Sequence, residues 1–166
     1  MANERLSWDS YFMNIAKAVS ERSVCWSRKL GAVVVRDNTI LVTGYNGPHR
    51  GSNLCDIACI WPREKRAYRT DLGGCPAAHA EANCVHQAAR VGVSLKGGTL
   101  YVTSCVPCKA CMGAIINSGI TAIVCFASME KNDGLYYDEL SRVYVEGGDI
   151  EVFVYDALRD QKIQIK

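Results

Sequence analysis

The chain has 166 residues, 49% hydrophobic and 22% charged, enough for one domain with a full core, and we expect a single domain over residues 1–166. Its formal net charge of +2 is too small to indicate binding to nucleic acid or to an anionic membrane surface. Because no apolar run approaches the roughly 18 residues of a membrane span, and the first residues lack a signal-peptide layout, we expect a cytoplasmic protein.

The first part of the chain predicts a helix followed by a β-hairpin. Residues 7–20 carry apolar side chains at three- and four-residue steps, and Ser7 is a suitable N-cap for this helix. Two runs rich in β-branched residues follow at 30–36 and 39–45, and an Asp-Asn pair separates them. Because Asp and Asn adopt the backbone conformation of tight turns, the two runs are expected to form a hairpin.

A long segment without periodicity follows at residues 47–75. It is rich in Gly, Pro, Cys and charged residues, and a loop of this length inside a compact domain is usually functional or held in place by a ligand. Its basic residues could bind the phosphates of a regulatory nucleotide, or could form an ordinary solvated surface. They are Arg63, Lys65, Arg66 and Arg69.

The second part of the chain alternates helices with strands. Helices are predicted at 79–91, 108–117 and 135–145, and strands at 99–104, 120–126 and 150–155. This alternation predicts right-handed crossovers and parallel neighbouring strands. The expected fold is α/β, with a five-stranded mixed sheet between helices on both faces. Two helix starts, at His79 and Cys108, should meet at one edge of this sheet.

Two short motifs at these helix starts point to metal chemistry: His79-Ala-Glu81 and Pro107-Cys108-Lys-Ala-Cys111. One imidazole and two thiolates suit zinc, and three protein ligands leave a fourth position for water, as in catalytic zinc sites. Glu81 is placed to take a proton from that water and pass it to a leaving amine. A purely structural zinc site is the alternative, but it would leave Glu81 and Pro107 without a role.

These motifs match the H-x-E and P-C-x-x-C signature of zinc-dependent nucleobase deaminases. From about Leu6 to about Tyr155, the chain resembles the deoxycytidylate (dCMP) deaminases of the cytidine deaminase superfamily. Four blocks carry the resemblance: Leu-Ser-Trp-Asp at 6–9, Arg-Ser-Val-Cys at 22–25, Thr-Gly-Tyr-Asn-Gly at 43–47, and the zinc motifs with Thr-Leu-Tyr-Val-Thr at 99–103 between them. The resemblance implies the three-layer α/β/α fold of that superfamily.

The resemblance also implies an activity, which is hydrolysis of dCMP to dUMP and ammonia, supplying dUMP for thymidylate synthesis. The implied zinc ligands are His79, Cys108 and Cys111, with Glu81 as the proton shuttle. The implied substrate contacts are Asn46 to the deoxyribose, and the backbone near Ala80 and Ser104 to the base. Many members are homo-hexamers that dCTP activates and dTTP inhibits, so a hexamer with these effectors is expected.

One departure from the family concerns the phosphate of the substrate. The family usually has an arginine two positions after the cysteine of the second block, where this chain has Ser27 followed by Arg28. Arg28 is therefore the candidate phosphate ligand, with Lys29 or the basic loop as alternatives and a solvated surface charge as the plain interpretation. The substrate could instead be dCTP or a nucleotide with a C5-modified cytosine. A non-catalytic zinc protein that binds nucleotides is the alternative from another class.

The nine cysteines suggest a second metal site. In a reducing compartment this number favours metal binding over disulfides. Several relatives hold a structural zinc ion between the second block and the long loop, and the matching positions here are Cys25, Cys55, Cys59 and Cys75. Four thiolates would form a closed tetrahedral site that holds the loop, whereas four separate thiols are the alternative.

Overall fold

The structure, a computed structural model, describes residues 5–53, 55, 75–126, 139–147 and 150–165. The elements in chain order are α1 (Trp8–Ser20), β1 (Gly31–Arg36), β2 (Thr39–Tyr45), α2 (Ala80–Val91), β3 (Thr99–Val102), α3 (Lys109–Asn117), β4 (Ala122–Cys125), α4 (Glu139–Glu146), β5 (Glu151–Asp156) and β6 (Gln161–Gln164). The start of the predicted helix at 135–145 lies outside the described residues. Within the described ranges, every helix is too short or too polar to span a lipid bilayer.

The strands form one sheet in the order β2-β1-β3-β4-β5-β6. β4 is parallel to both β3 and β5, while the pairs β1–β2, β1–β3 and β5–β6 are antiparallel. The predicted parallel neighbours are therefore confirmed. The prediction of five strands is wrong, because the chain turns back after β5 and adds β6 at the edge of the sheet. All four residues of β6 are exposed, so burial does not select this strand, although Lys-Ile-Gln-Ile at 162–165 alternates polar and apolar side chains.

Local signals placed the first elements correctly. Ser7 is the N-cap of α1, and its side-chain oxygen accepts a hydrogen bond from the backbone N–H of Ser10. In the β1–β2 turn, Asp37 and Asn38 have φ angles of 51° and 56°. Positive φ at both central residues is the geometry of a two-residue hairpin turn that matches the twist of the strands. The predicted helix cap and hairpin are thus confirmed.

The sheet separates two apolar cores. Helix α1 covers one face, where its buried side chains pack against alternate residues of the central strands: Phe12, Met13, Ala16, Val33, Val35, Tyr101 and Val124. Helices α2 and α3 cover the other face, where their buried side chains pack on the remaining strand residues. The helices contribute Ala80, Cys84, Met112 and Ile115, and the strands contribute Val34, Leu100, Val102 and Ile123. Successive strand residues point to opposite faces. Because both faces are covered, the central strands are apolar throughout, and the three-layer prediction is confirmed.

Two glycines in the hairpin allow the helices to approach the sheet closely. A Cβ atom at Gly31 would lie 2.1 Å from the carbonyl oxygen of Ala16 in α1, and one at Gly44 would lie 2.4 Å from the carbonyl oxygen of Ala80 in α2. Both neighbours are backbone atoms, which cannot turn aside as a flexible side chain would. Gly44 therefore sets the position at which α2 begins.

Candidate active site

The candidate site lies where α2 and α3 begin. His79 is the N-cap of α2 and Cys108 is the N-cap of α3, and neither side chain makes a capping hydrogen bond to its helix. N-cap positions normally carry Ser, Thr, Asp or Asn, whose oxygens accept from the first backbone N–H groups. Here the imidazole and the thiol face each other instead. The two helix starts meet as the sequence predicted.

Three potential metal ligands come together at this point. Nδ1 of His79 lies 3.5 Å from Sγ of Cys108 and 3.4 Å from Sγ of Cys111. One ligand atom from each residue lies within 4.8 Å of the others. An imidazole nitrogen with two thiol sulfurs is a donor set that zinc prefers, and it leaves room for a fourth ligand. The residues present therefore fit a zinc ion.

The proton balance of the two thiols agrees with this fit. The pKa of the Cys108 thiol is lowered, chiefly because Cys111 donates a hydrogen bond to it, and His79 donates another. The pKa of Cys111 is raised, since its proton is shared with the neighbouring Cys108 sulfur and the thiol is also buried. A divalent cation bound by both sulfurs would displace the thiol protons and stabilise both thiolates, which is the usual coupling of metal binding to proton release.

Glu81 lies in the first turn of α2 and is only 4% exposed. Burial raises the pKa of its carboxyl group, because the charged form loses its hydration. Oε1 of Glu81 accepts a hydrogen bond from Oγ of Ser104 at 3.4 Å. Oε2 is buried and has no hydrogen-bond partner among the described residues. Since an unsatisfied buried oxygen is costly, it indicates a position where a ligand or a proton completes the bonding.

The end of β2 is attached to the chain just before α2. The backbones of Gly47 and Ala78 exchange two hydrogen bonds, of 3.1 Å and 2.9 Å. Nδ2 of Asn83 in α2 donates to the carbonyl oxygen of Tyr45 at 2.7 Å. These contacts place Asn46 beside the chain that leads into His79, although more than thirty residues separate the two along the sequence.

The side chain of Asn46 has a role that the sequence did not reveal. Its Oδ1 accepts from the backbone N–H of Leu30 at 2.8 Å, and its Nδ2 donates to the carbonyl oxygen of Arg28 at 2.9 Å. Each of these two atoms can make one further hydrogen bond. A contact with a sugar hydroxyl would therefore add to this brace between β2 and residues 28–30. No local pattern could have shown the brace, because its partners are distant in sequence.

The remaining predicted substrate contacts lie around the same place. Ala80 is the buried first residue of α2, and Ser104 is half-buried in the turn after β3. Arg28 is exposed, and its backbone carbonyl is held by Asn46. The structure therefore brings Asn46, Ala80 and Ser104 close to the metal ligands. The backbone of Arg28 is held in place by its hydrogen bond to the Asn46 side chain. The basic residues between 63 and 69 lie outside the described residues.

The second group of cysteines is only partly described. Cys55 is buried, whereas Cys25 and Cys75 are half-buried. Nε1 of Trp26 donates to the carbonyl oxygen of Cys55 at 2.6 Å, which attaches residue 55 to the segment that contains Cys25. Among the residues that the structure describes, His79, Cys108 and Cys111 form the group of three that could hold a metal ion, and Cys25, Cys55 and Cys75 do not form another. Cys59 lies outside the described residues.

Comparison with known proteins agrees with this geometry. The family model of the cytidine and deoxycytidylate deaminase zinc-binding region matches residues 6–127, which is most of the chain. The chain belongs to the cytidine and deoxycytidylate deaminase family. Membership in this family and the His-Cys-Cys group together support a zinc site at residues 79, 108 and 111.

Two relatives show how far the deaminase family likeness extends. The deoxycytidylate deaminase of Mycobacterium phage D29 is 41% identical over 127 residues, covering 72% of this chain and 94% of the phage protein. The deoxycytidylate deaminase of Saccharomyces cerevisiae is 39% identical over 121 residues, covering 72% of this chain and 38% of the yeast protein. The chain therefore spans well under half the length of that yeast relative.

A solved structure of the same family has a similar fold. It is the dCMP deaminase of cyanophage S-TIM5 in complex with dCMP and dUMP, with a TM-score of 0.69. The superposition covers 92% of this chain and 99% of the phage chain, at 23% sequence identity. At this level of identity the likeness shows the shared α/β/α fold, and the substrate of this chain is argued from its own residues.

Proposed function

We propose that this chain catalyses the hydrolytic deamination of dCMP, which gives dUMP and ammonia. The observation that carries this proposal is Glu81, a buried carboxyl group two residues after His79 of the His-Cys-Cys group, whose Oε2 has no hydrogen-bond partner among the described residues. A group that must exchange protons with a reacting molecule needs an oxygen that the protein itself does not occupy. The names of the relatives support dCMP as the substrate.

The protein's own residues account for the proton movements. When bound by His79, Cys108 and Cys111, zinc would supply a Lewis acid that lowers the pKa of water. Glu81 takes a proton from the attacking water through Oε2 and delivers it to N3 of the cytosine ring, which makes C4 more electrophilic. As the oxygen–C4 bond forms and the C4–amine bond breaks, Glu81 passes the second proton of the water to the departing amine. Ammonia leaves, and the ring becomes uracil.

The rest of the nucleotide would be held by the segment next to β2. Asn46 is oriented by its two bonds to residues 28 and 30, and its remaining donor and acceptor suit a sugar hydroxyl. Arg28 places a cation on the same braced segment, and a guanidinium group suits a phosphate. Both contacts belong to the proposal. A triphosphate or a C5-modified cytosine is the alternative substrate for this same arrangement.

Ammonia release from a small panel tests the proposed reaction. Zinc-loaded protein would be given deoxycytidine, dCMP, dCTP and 5-methyl-dCMP, each with and without added dCTP as an effector. We expect dCMP to react faster than deoxycytidine by orders of magnitude, since only dCMP offers a phosphate to Arg28. Equal rates on the two would contradict the phosphate site. No release from any member, by protein with zinc bound, would contradict catalysis and favour a non-catalytic nucleotide-binding zinc protein.

We also propose a second, structural zinc ion held by Cys25, Cys55, Cys59 and Cys75. The bond from Trp26 to the Cys55 backbone supports it, because this bond brings the Cys25 segment and residue 55 close together. Metal analysis of the purified protein should then find two zinc ions per chain, and a Cys25→Ser variant should retain one. One zinc ion per unaltered chain would contradict the second site. Two zinc ions per chain in the Cys25→Ser variant would show that Cys25 is not one of its ligands.

The assembly and regulation of the enzyme are proposed from the family resemblance. We infer a single-domain, cytoplasmic homo-hexamer that dCTP activates and dTTP inhibits and whose dUMP serves thymidylate synthesis. Light scattering after size-exclusion chromatography should give six times the chain mass, and dTTP should lower the rate on dCMP. A monomer with rates unaffected by either nucleotide would contradict both expectations.

A further inference from the structure

Ser104 lies in the turn after β3, and its hydroxyl oxygen is within hydrogen-bond distance of the Glu81 carboxyl group and of a backbone carbonyl. Its Oγ is 3.4 Å from Oε1 of Glu81 and 3.2 Å from the carbonyl oxygen of Cys105. A serine hydroxyl has one hydrogen and two lone pairs, so it donates to one acceptor at a time or divides its hydrogen between them. Because an ionised carboxylate forms a stronger hydrogen bond than a neutral carbonyl, the hydrogen favours Glu81 when Glu81 is charged.

The two oxygens of Glu81 are therefore not equivalent. Oε1 has the hydroxyl of Ser104 as its side-chain partner, while Oε2 has no partner among the described residues. The terminal torsion of a glutamate side chain is broad and roughly two-fold, so the carboxyl group can rotate unless something holds it. The backbone N–H of Glu81 itself is the other group that contacts this carboxyl. Without the serine hydroxyl, no side chain that the structure describes would hold it by a hydrogen bond.

We propose that Ser104 is a positioning residue that holds Oε1 of Glu81 and so presents Oε2 to the substrate. This inference rests on the proposed deamination, in which Glu81 moves two protons per turnover. Oε1 is an acceptor for Ser104 whether Glu81 is ionised or carries its proton on Oε2, and the bond is strongest in the ionised state, when the Cys105 carbonyl competes least. A hydroxyl held on Oε1 leaves Oε2 as the oxygen that takes up and releases the proton.

The decisive comparison is between Ser104→Thr and Ser104→Val. Threonine and valine have nearly the same shape, but only threonine keeps the hydroxyl group. We expect Ser104→Thr to retain most of the turnover, while Ser104→Val and Ser104→Ala lose roughly 10- to 100-fold in kcat, as misplacement of a catalytic group by about 1 Å does. KM for dCMP and the affinity for dUMP, measured by calorimetry, should change by less than about three-fold, since the hydroxyl contacts Glu81 and not the nucleotide.

A matched control separates this role from a purely structural one. Ser118 is also half-buried, and its hydroxyl donates to the carbonyl oxygen of Ile115 at 2.7 Å, at the opposite end of α3 from Cys108. Ser118→Ala loses a comparable hydrogen bond and should keep the kcat of the unaltered protein. Zinc content and the circular dichroism spectrum should be the same in all folded variants.

The outcomes are distinct. Loss of kcat in Ser104→Val with recovery in Ser104→Thr supports the inference. Equal kcat in these two variants overturns it, and so does a loss of dUMP affinity that matches the loss of kcat, because that would indicate substrate binding by Ser104. An inactive unaltered protein overturns the proposed deamination and this inference together, whereas an active protein with fully active Ser104→Val overturns this inference alone.

Discussion

The polar groups on the two faces of the sheet differ in how fully they are hydrogen-bonded. On the face that α1 covers, the polar groups satisfy one another. The hydroxyl of Tyr101 donates to Asp9 at 2.7 Å, and the hydroxyls of Ser7 and Tyr155 donate to Asp160 at 2.7 Å and 2.9 Å. These bonds attach the start of α1 to the sheet and to the β5–β6 turn. Each carboxylate there has partners within the protein.

On the face that α2 and α3 cover, several polar groups remain incomplete. The side chains at two helix N-caps do not cap their helices, and one carboxylate oxygen of Glu81 has no hydrogen-bond partner among the described residues. Burying polar groups without partners costs free energy, so this arrangement is kept only if something other than stability requires it. Satisfied polar groups here mark the face that stabilises the fold, and unsatisfied ones mark the face on which we propose that the reaction takes place.

The largest effect is expected from Glu81→Gln. The substitution keeps the shape of the side chain but removes its ability to accept and release protons, so we expect turnover of dCMP to fall by roughly 10²- to 10⁴-fold. The free energy of unfolding should stay the same or rise, since a buried charge is replaced by a neutral amide. Steady-state kinetics and urea denaturation measure the two quantities.

A control for this variant is Glu139→Gln, in which the glutamate also lies in the first turn of a helix but is exposed. It should keep the turnover of the unaltered protein. If Glu81→Gln retained full turnover, or lost it together with its zinc, the assignment of Glu81 to the reactive face as a proton carrier would be wrong.

Substituting alanine for Gly31 or for Gly44 tests whether the two faces of the sheet have separate roles. Gly31→Ala and Gly44→Ala each place a Cβ atom against helix backbone, so both should lower the free energy of unfolding by about 1–3 kcal/mol. Only Gly44→Ala pushes on α2, which carries Glu81, so its kcat should fall by roughly 10-fold or more in the folded protein. Gly31→Ala pushes on α1 and should affect kcat far less. Equal losses of kcat would show that the two faces are not separable.

The smallest effect is expected on the face that α1 covers. Burial and the hydrogen bond to Asp9 raise the pKa of Tyr101, so its hydroxyl remains protonated and donates at neutral pH. Tyr101→Phe should lower the free energy of unfolding by about 1–2 kcal/mol and leave turnover unchanged. Tyr155→Phe, whose hydroxyl bonds the exposed Asp160, should cost less. A change in turnover with either variant would contradict a purely stabilising role for this face.

Most of the fold could be predicted because its signals are local. The cap at Ser7, the Asp-Asn turn and the apolar strands each depend on neighbouring residues, and the regular alternation of helices and strands then determines the parallel pairs. Strand β6 has a weaker local signal, a short Lys-Ile-Gln-Ile alternation at 162–165, and was not predicted. Its residues are all exposed, and it forms a strand because it pairs with β5 through backbone groups that every residue has.

The residues of the site also fall into those that local sequence motifs predict and those whose contacts depend on the tertiary fold. His79, Glu81, Cys108 and Cys111 lie in two short motifs that match a known zinc signature, and this match predicted that the three metal ligands would come together. The tasks of Asn46 and Ser104 depend on partners about twenty residues away, and whether an amide or a hydroxyl faces the chain or a ligand is decided by tertiary packing. Residue type gave the chemistry that these side chains can perform, but not the atoms that they contact.

The two hydrogen bonds between Gly47 and Ala78 have a consequence for how this protein can diversify. They join the ends of the long segment at its base, so the distance that the segment spans does not depend on its length. The entropy lost on closing a loop grows only logarithmically, and doubling the length costs about 0.6 kcal/mol. Whole recognition elements could therefore be exchanged between these two residues by evolution or by design, while the neighbouring chemistry stays in place.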